Sequence, residues 1–221
     1  MAARTSPSTL RQAPKPAAAT LNKHQQKTQA MKLRLLKAAR RIFTRDGFEA
    51  ARIDDIAAAA GHTRGAFYAH FKTKEDLFLA LIEQETAAHM DDIRAKMHAC
   101  TTEQEQVDML RKYYSARLAD RAFSILLIEF KLYALRHPRL RAHLADAHRQ
   151  IRDVLKLGVE GLLPAQFQVR SESRELKRVA LESLLTGLIL ENTYDPKRIS
   201  ERQVESVLGQ MFDMVQDLSA S

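Results

Sequence analysis

Tryptophan is missing from these 221 residues, cysteine occurs once, and glycine and proline number only seven and six. Each scarcity excludes something. A lone cysteine, Cys100, cannot form a disulfide within the chain, which points to a reducing compartment. It reads as a small residue near a helix end, with redox sensing as the alternative. So few glycines and prolines exclude a turn-rich all-β protein. No apolar run reaches the roughly 18 residues of a membrane span, so no membrane is expected as a partner. The N-terminus lacks the apolar segment of a secretory signal, and a cytoplasmic location is expected. No phosphate-cradling glycine loop or nucleophile motif is present, and His143 and His148 do not share a helix face well enough to hold a metal. Neither catalysis nor a metal or cofactor is therefore expected.

One absence is local. Residues 1–45 contain eleven Lys or Arg and no acid; the first acid is Asp46. Residues 1–80 hold 15 cations against 6 acids, and residues 81–221 hold 20 against 21, so the whole basic excess lies in the first third. This asymmetry suggests a polyanion-binding head on a near-neutral body.

What is abundant is helix-forming: Ala, Leu, Glu, Lys and Arg dominate, so an all-α fold is expected. Residues 1–27, with Pro7, Pro14 and Pro16, read as a disordered basic tail. From about Thr28 a 3.6-residue period sets in, with Leu35, Leu36, Ala39, Ile42 and Phe43 on one side and Arg34, Lys37, Arg41 and Arg45 on another. Gly47 closes this helix. Ile53, Ile56, Ala57 and Ala60 then mark a short amphipathic helix stopped by Gly61, and Thr63 caps another running from Arg64 to about Phe71. Helix, short turn, helix is a helix-turn-helix, placed at about 52–71 within a domain of 28–73. Thr73 caps a long helix to about Met97, and further helices are expected over 103–119, 122–136, 138–162, 172–193 and 200–218. Residues 74–221 are expected to form a second, helical body.

The segment "HTRGAFYAHFKTK", residues 62–74, has the two faces that a recognition helix requires. Phe67 and Phe71 make an apolar back for Ile53, Ile56 and Ala57. Arg64, in the first turn, is placed for base edges, and arginine is the usual bidentate reader of guanine. Gly65 and Ala66 let the backbone come close to DNA, and the Ala66 methyl suits a thymine methyl. Tyr68, His70 and Lys74 suit phosphate oxygens, which fix position rather than sequence.

At this point residues 35–81 resemble the N-terminal domain of TetR/AcrR-type transcriptional repressors. The shared features are the Ala-Ala and Phe of the first helix, Gly47-Phe48, Ile56-Ala57, Ala60-Gly61, and then Phe67-Tyr68, Phe71-Lys72, Lys74 and Leu77. The resemblance implies an all-α homodimer with a three-helix DNA-binding head and a helical ligand-binding body. It also implicates Thr63, Arg64, Ala66, Tyr68, His70 and Lys74 in DNA contact. Two positions depart from the pattern. Arg52 stands where a capping Thr or Ser is usual; it can meet phosphate but cannot cap. His62 stands where an apolar turn residue is usual.

The body offers candidates of two kinds. Leu176, Ala180, Ser183, Leu184, Gly187 and Leu188 form one stripe and Val204, Leu208, Met211 and Val215 another; together they are the expected dimer seam, and a two-fold dimer calls for a palindromic duplex operator. Met90, Met97, Met109, Tyr113, Phe123, Leu127, Phe130 and Tyr133 are candidates for a small-molecule inducer site, with core packing as the alternative. Glu129 is read as solvated, bridged to Lys131 or Arg136, or paired with a cationic ligand. The expected function is a DNA-binding repressor released by a small molecule. The alternatives are a regulator controlled by a protein partner or by no ligand, and a helical ligand-binding protein without specific DNA recognition.

Overall fold

The computed structural model describes residues 22–117, 120–157, 172–200, 202–204, 206–207 and 209–210, and among these every regular element is an α-helix. In chain order they are α1 (Lys23–Asp46), α2 (Ile53–Ala59), α3 (Arg64–Tyr68), α4 (Lys74–His98), α5 (Glu103–Arg117), α6 (Arg121–Arg136), α7 (Pro138–Leu157) and α8 (Glu172–Tyr194). Residues 202–204, 206–207 and 209–210 are also helical, inside the expected final helix.

Local chemistry sets the boundaries. Thr63 Oγ1 accepts from Ala66 N and Thr73 Oγ1 from Asp76 N, so α3 and α4 carry the side-chain caps that their sequences suggest. Arg52 precedes α2 without a capping hydrogen bond, as its side chain dictates. Gly47 and Gly61 end α1 and the α2 turn with φ of 80° and 76°, the region open to glycine at little cost. His137 separates α6 from α7, and Pro138 opens α7 at the position where its missing N–H costs nothing.

Helix α1 begins at Lys23, five residues before the apolar period. Asn22 and Gln25 form a reciprocal capping box, each side chain holding the other's backbone N–H at 2.9 Å. Residues 23–27 therefore belong to the helix and not to the tail. Helix α3 ends at Tyr68, but Phe71 N still donates to Phe67 O, which keeps both phenylalanines on one buried side.

Head and body share one core. Leu35, Ile42 and Phe43 of α1, Ile56 and Ala57 of α2, Phe67 and Phe71 pack in the same cluster as Leu77, Phe78 and Leu81 of α4, Phe123, Leu126 and Phe130 of α6 and Leu144 of α7. Phe48, fully buried, is its hinge: its ring centroid lies 5.1 Å from Phe78, 5.2 Å from Phe130 and 4.9 Å from Tyr133. Helix α4 packs on α7 and α5, and α6 reaches both α1 and α8. A second, smaller cluster of Ile93, Met97, Leu110 and Tyr113 joins the far end of α4 to α5.

Candidate DNA-binding surface

Buried Phe67 and Phe71 fix α3 on the head and turn its other side outward. On that side Arg64 and Tyr68 stand one turn apart. The Arg64 guanidinium lies 5.6 Å from the Tyr68 ring centroid and donates to Tyr68 Oη at 3.3 Å and to Asp54 Oδ2 at 3.1 Å. The side chain is still 60% exposed, so the pair with Asp54 is one that solvent or a phosphate can replace. The Tyr68 hydrogen bond, and then the Asp54 charge, raise the Arg64 pKa above its already high value; the group is permanently cationic. Asp54 was legible only as a first-turn acid, because nothing in the sequence links residues ten apart across a turn.

Thr63 and Gly65 are exposed and Ala66 half-buried. A Cβ added at Gly65 would meet only Thr63 Oγ1, at 3.8 Å, so the fold itself leaves this backbone open to close approach from outside. Exposed Arg52 flanks the same surface at the start of α2. His70 is half-buried, and burial lowers its pKa, with the charges of His62 and Lys32 acting the same way.

Lys74, expected to meet phosphate, also makes contacts within the chain. Its Nζ donates to Glu49 O at 2.7 Å and Ala51 O at 3.1 Å, above the Phe48 ring at 4.9 Å, and burial lowers its pKa. It ties the α1–α2 loop to the start of α4. Glu129 accepts a hydrogen bond from Phe48 N at 2.9 Å, a partner its sequence neighbours did not suggest, clamping α6 to that loop. Arg136 pairs with Glu49, Tyr133 Oη donates to Glu75, and Arg40 of α1 pairs with Glu85 and Asp120. Burial and the Glu75 carboxylate push the Tyr133 hydroxyl up to about 12. These long-range polar links join head to body, and sequence spacing gave no sign of them.

The eight inducer candidates divide. Phe123 and Phe130 belong to the core that joins head and body, with Leu127 and Tyr133 packed against it, and Phe130 stacks on Phe78 at 4.4 Å. Met90, Met97, Met109 and Tyr113 form the smaller cluster beside a surface pocket of about 460 Å³ lined by Lys96, Glu105, Asp108, Met109, Lys112 and Tyr113.

The seam residues divide as well. Ala180, Ser183 and Leu184 are exposed on α8, next to Val179, 41% exposed, and Leu190, 44% exposed. Gly187 and Leu188 are half-buried, and a Cβ at Gly187 would meet nothing within 4 Å. Val204, expected at the seam, is buried within this chain. The side chains of Leu176, Leu208, Met211 and Val215 lie outside the described residues.

With this geometry in place, likeness to other proteins becomes decisive. A family model described as "Bacterial regulatory proteins, tetR family" matches residues 35–81, and "BetI-type transcriptional repressor, C-terminal" matches residues 103–216, just over half the chain. The chain belongs to the TetR family. The two matched models describe bacterial regulatory proteins and the C-terminal part of a transcriptional repressor. The HTH-type transcriptional repressor AcnR of Corynebacterium glutamicum is 44% identical over 59 residues, covering 27% of this chain and 31% of AcnR. The chain spans less than two-thirds of the length of this and the other curated relatives it matches. Among solved structures, FadR from Bacillus subtilis, in complex with stearoyl-CoA, is 15% identical with a TM-score of 0.59, covering 83% of this chain and 96% of that one. The multidrug binding protein EbrR, complexed with ethidium, is 23% identical with a TM-score of 0.56, covering 82% and 97%. At these identities the likeness is one of fold. No described helix of this TetR-family chain is long and apolar enough to cross a membrane.

Proposed function

We propose that this regulator is a homodimeric repressor that reads a palindromic operator with α3 and leaves it when a small molecule occupies the body. The observation that carries this reading is the recognition surface itself: a permanently charged, 60% exposed Arg64 in the first turn of a helix whose opposite side is anchored by buried Phe67 and Phe71. Arg64 reads a guanine edge, and Thr63, Tyr68, His70 and Arg52 hold phosphate or sugar. Exposed Val179, Ala180, Ser183, Leu184 and Leu190, with the open flank of Gly187, support a dimer seam on α8.

An inducer site near Met90, Met97, Met109 and Tyr113 is supported by the open pocket that Met109 and Tyr113 line together with Lys96, Glu105, Asp108 and Lys112. FadR with stearoyl-CoA and EbrR with ethidium indicate that this fold accommodates large organic molecules with substantial apolar parts. The inducer acts by favouring one spacing of the two heads, which requires differential affinity for the two states. The test is selection of bound fragments from genomic DNA, followed by a reporter under the selected site. A two-fold symmetric site whose reporter is shut down by the chain supports the reading; fragments sharing no motif contradict it.

A further inference from the structure

Helix α6 is apolar on two opposite sides. One carries Phe123, Leu126, Phe130 and Ala134, all buried in the core shared by head and body. The other carries half-buried Ile128, then Leu132 and Leu135, 46% and 58% exposed. Residues three, four and seven apart share a helix face, so these three form one stripe turned away from the core. A helix apolar all round has a second side to bury. Helix α8 packs on α6, yet Leu132 and Leu135 are left uncovered. Single exposed leucines are ordinary, whereas neighbours on one face mark a patch.

The rim of the patch is cationic. Lys131 precedes Leu135 by four residues and Arg136 follows Leu132 by four, so a basic side chain flanks each leucine on the helix surface. Arg139 and Arg141 follow in the first turn of α7, both exposed and, among the described residues, without an acidic partner. No acid occurs from Phe130 to Ala145. The nearest, Glu129, has its carboxylate on Phe48 N. Arg136 reaches Glu49 at 3.7 Å with both side chains exposed, a link that another carboxylate can replace.

We propose that the outer face of α6, continued onto the first turn of α7, docks an acidic amphipathic helix of another protein. Apolar side chains of the docked helix cover Leu132 and Leu135, and its carboxylates meet Arg136, Arg139 and Arg141. Other occupants fit less well. A nucleic acid offers phosphates but leaves the leucines uncovered. A second copy of this face, brought up by a two-fold axis, sets cation against cation. The first 21 residues of the chain contain no acid, and two leucines are a small face for insertion into a lipid surface. The docked helix lies beside the links from α6 to the head, Arg136 to Glu49 and Glu129 to Phe48 N. It gives a partner protein a route to the DNA-binding head that goes beyond the small-molecule reading and does not depend on it.

The experiment pans the full chain with a displayed library of helical peptides that carry a fixed leucine stripe and random Glu, Lys, Gln or Ser elsewhere. The Leu132→Ser, Leu135→Ser double variant, checked for helix content by circular dichroism, serves for counter-selection. The expected survivors carry Glu beside the leucines. Their affinity, read by fluorescence anisotropy, is expected to fall at least about tenfold on the double variant and on the Arg136→Gln, Arg139→Gln, Arg141→Gln triple variant. Survivors rich in Lys, or no survivors, overturn the proposal, and so does binding that the triple variant leaves unchanged. Sedimentation and phosphatidylglycerol vesicles address the other occupants. A smaller assembly for the double variant assigns the face to a second copy, and vesicle binding lost in the double variant assigns it to lipid; either result overturns the proposal.

Discussion

Truncating Glu129 is the sharpest probe of how the body is joined to the head. Its carboxylate accepts from the N–H of fully buried Phe48, and the Gly47 backbone approaches so closely that an added Cβ would lie 3.0 Å from Oε2. A hydrogen bond to a charged acceptor contributes about 1.5–3 kcal/mol, so Glu129→Ala is expected to destabilise the chain by about that amount. Glu129→Gln keeps an acceptor and loses the charge, and about half the effect is expected. Gly47→Ala places an alanine at φ 80° and ψ 161°, a region that costs of order 1–3 kcal/mol, and it also crowds the carboxylate. The double variant should therefore be less destabilised than the sum of the singles, because removing Glu129 removes the crowding. The assay is urea unfolding followed by circular dichroism at fixed protomer concentration, since any association makes stability concentration-dependent. A cost below about 0.5 kcal/mol for Glu129→Ala, the range of ordinary surface substitutions, would refute the clamp. Strict additivity with Gly47→Ala would refute the close approach that underlies it.

Two further outcomes are expected. Leu184→Glu, on the exposed face of α8, should leave the fold within about 0.5 kcal/mol of wild type. At a seam it buries an unpaired charge, costing about 3–5 kcal/mol, so sedimentation should show the dimer weakened by at least about a hundredfold, while unchanged dimerisation would exclude this face. The folded-state pKa of His70 is lowered by burial and by His62 and Lys32, so below its ordinary value near 6.5 the unfolded chain takes up the proton more readily. Its stabilisation is present at neutral pH and lost as pH falls through the depressed pKa; unfolding followed from neutral into acid pH should therefore show a flatter acid limb for His70→Gln, and an unchanged limb would remove His70 from the account of acid stability.

Much of this was legible because local rules govern it. The period of Leu35, Leu36, Ala39, Ile42 and Phe43, the caps Thr63 and Thr73, and the stops Gly47 and Gly61 are properties of adjacent residues, and the helices follow them. The start of α1 escapes the apolar period because its first turns are exposed all round; such a period cannot mark a helix that buries nothing, and only the Asn22–Gln25 box could. Lys74, Glu129 and Asp54 resist a sequence reading for one common reason. Their partners are 23, 25, 81 and ten residues away, and long-range polar links leave no trace in local pattern. Phe130 and Tyr133 look like ligand-facing aromatics in sequence because a helical stripe of aromatics is the same whether it faces a cavity or a neighbouring Phe78.

The central claim is that Arg64 reads sequence from the first turn of α3. The direct measurement is the operator affinity of wild type and Arg64→Ala against a scrambled duplex of equal length, across a salt series. The account predicts that Arg64→Ala loses about 1–3 kcal/mol of operator preference while binding the scrambled duplex nearly as before. An equal loss on both duplexes would contradict it, and would leave Arg64 as one more phosphate ligand.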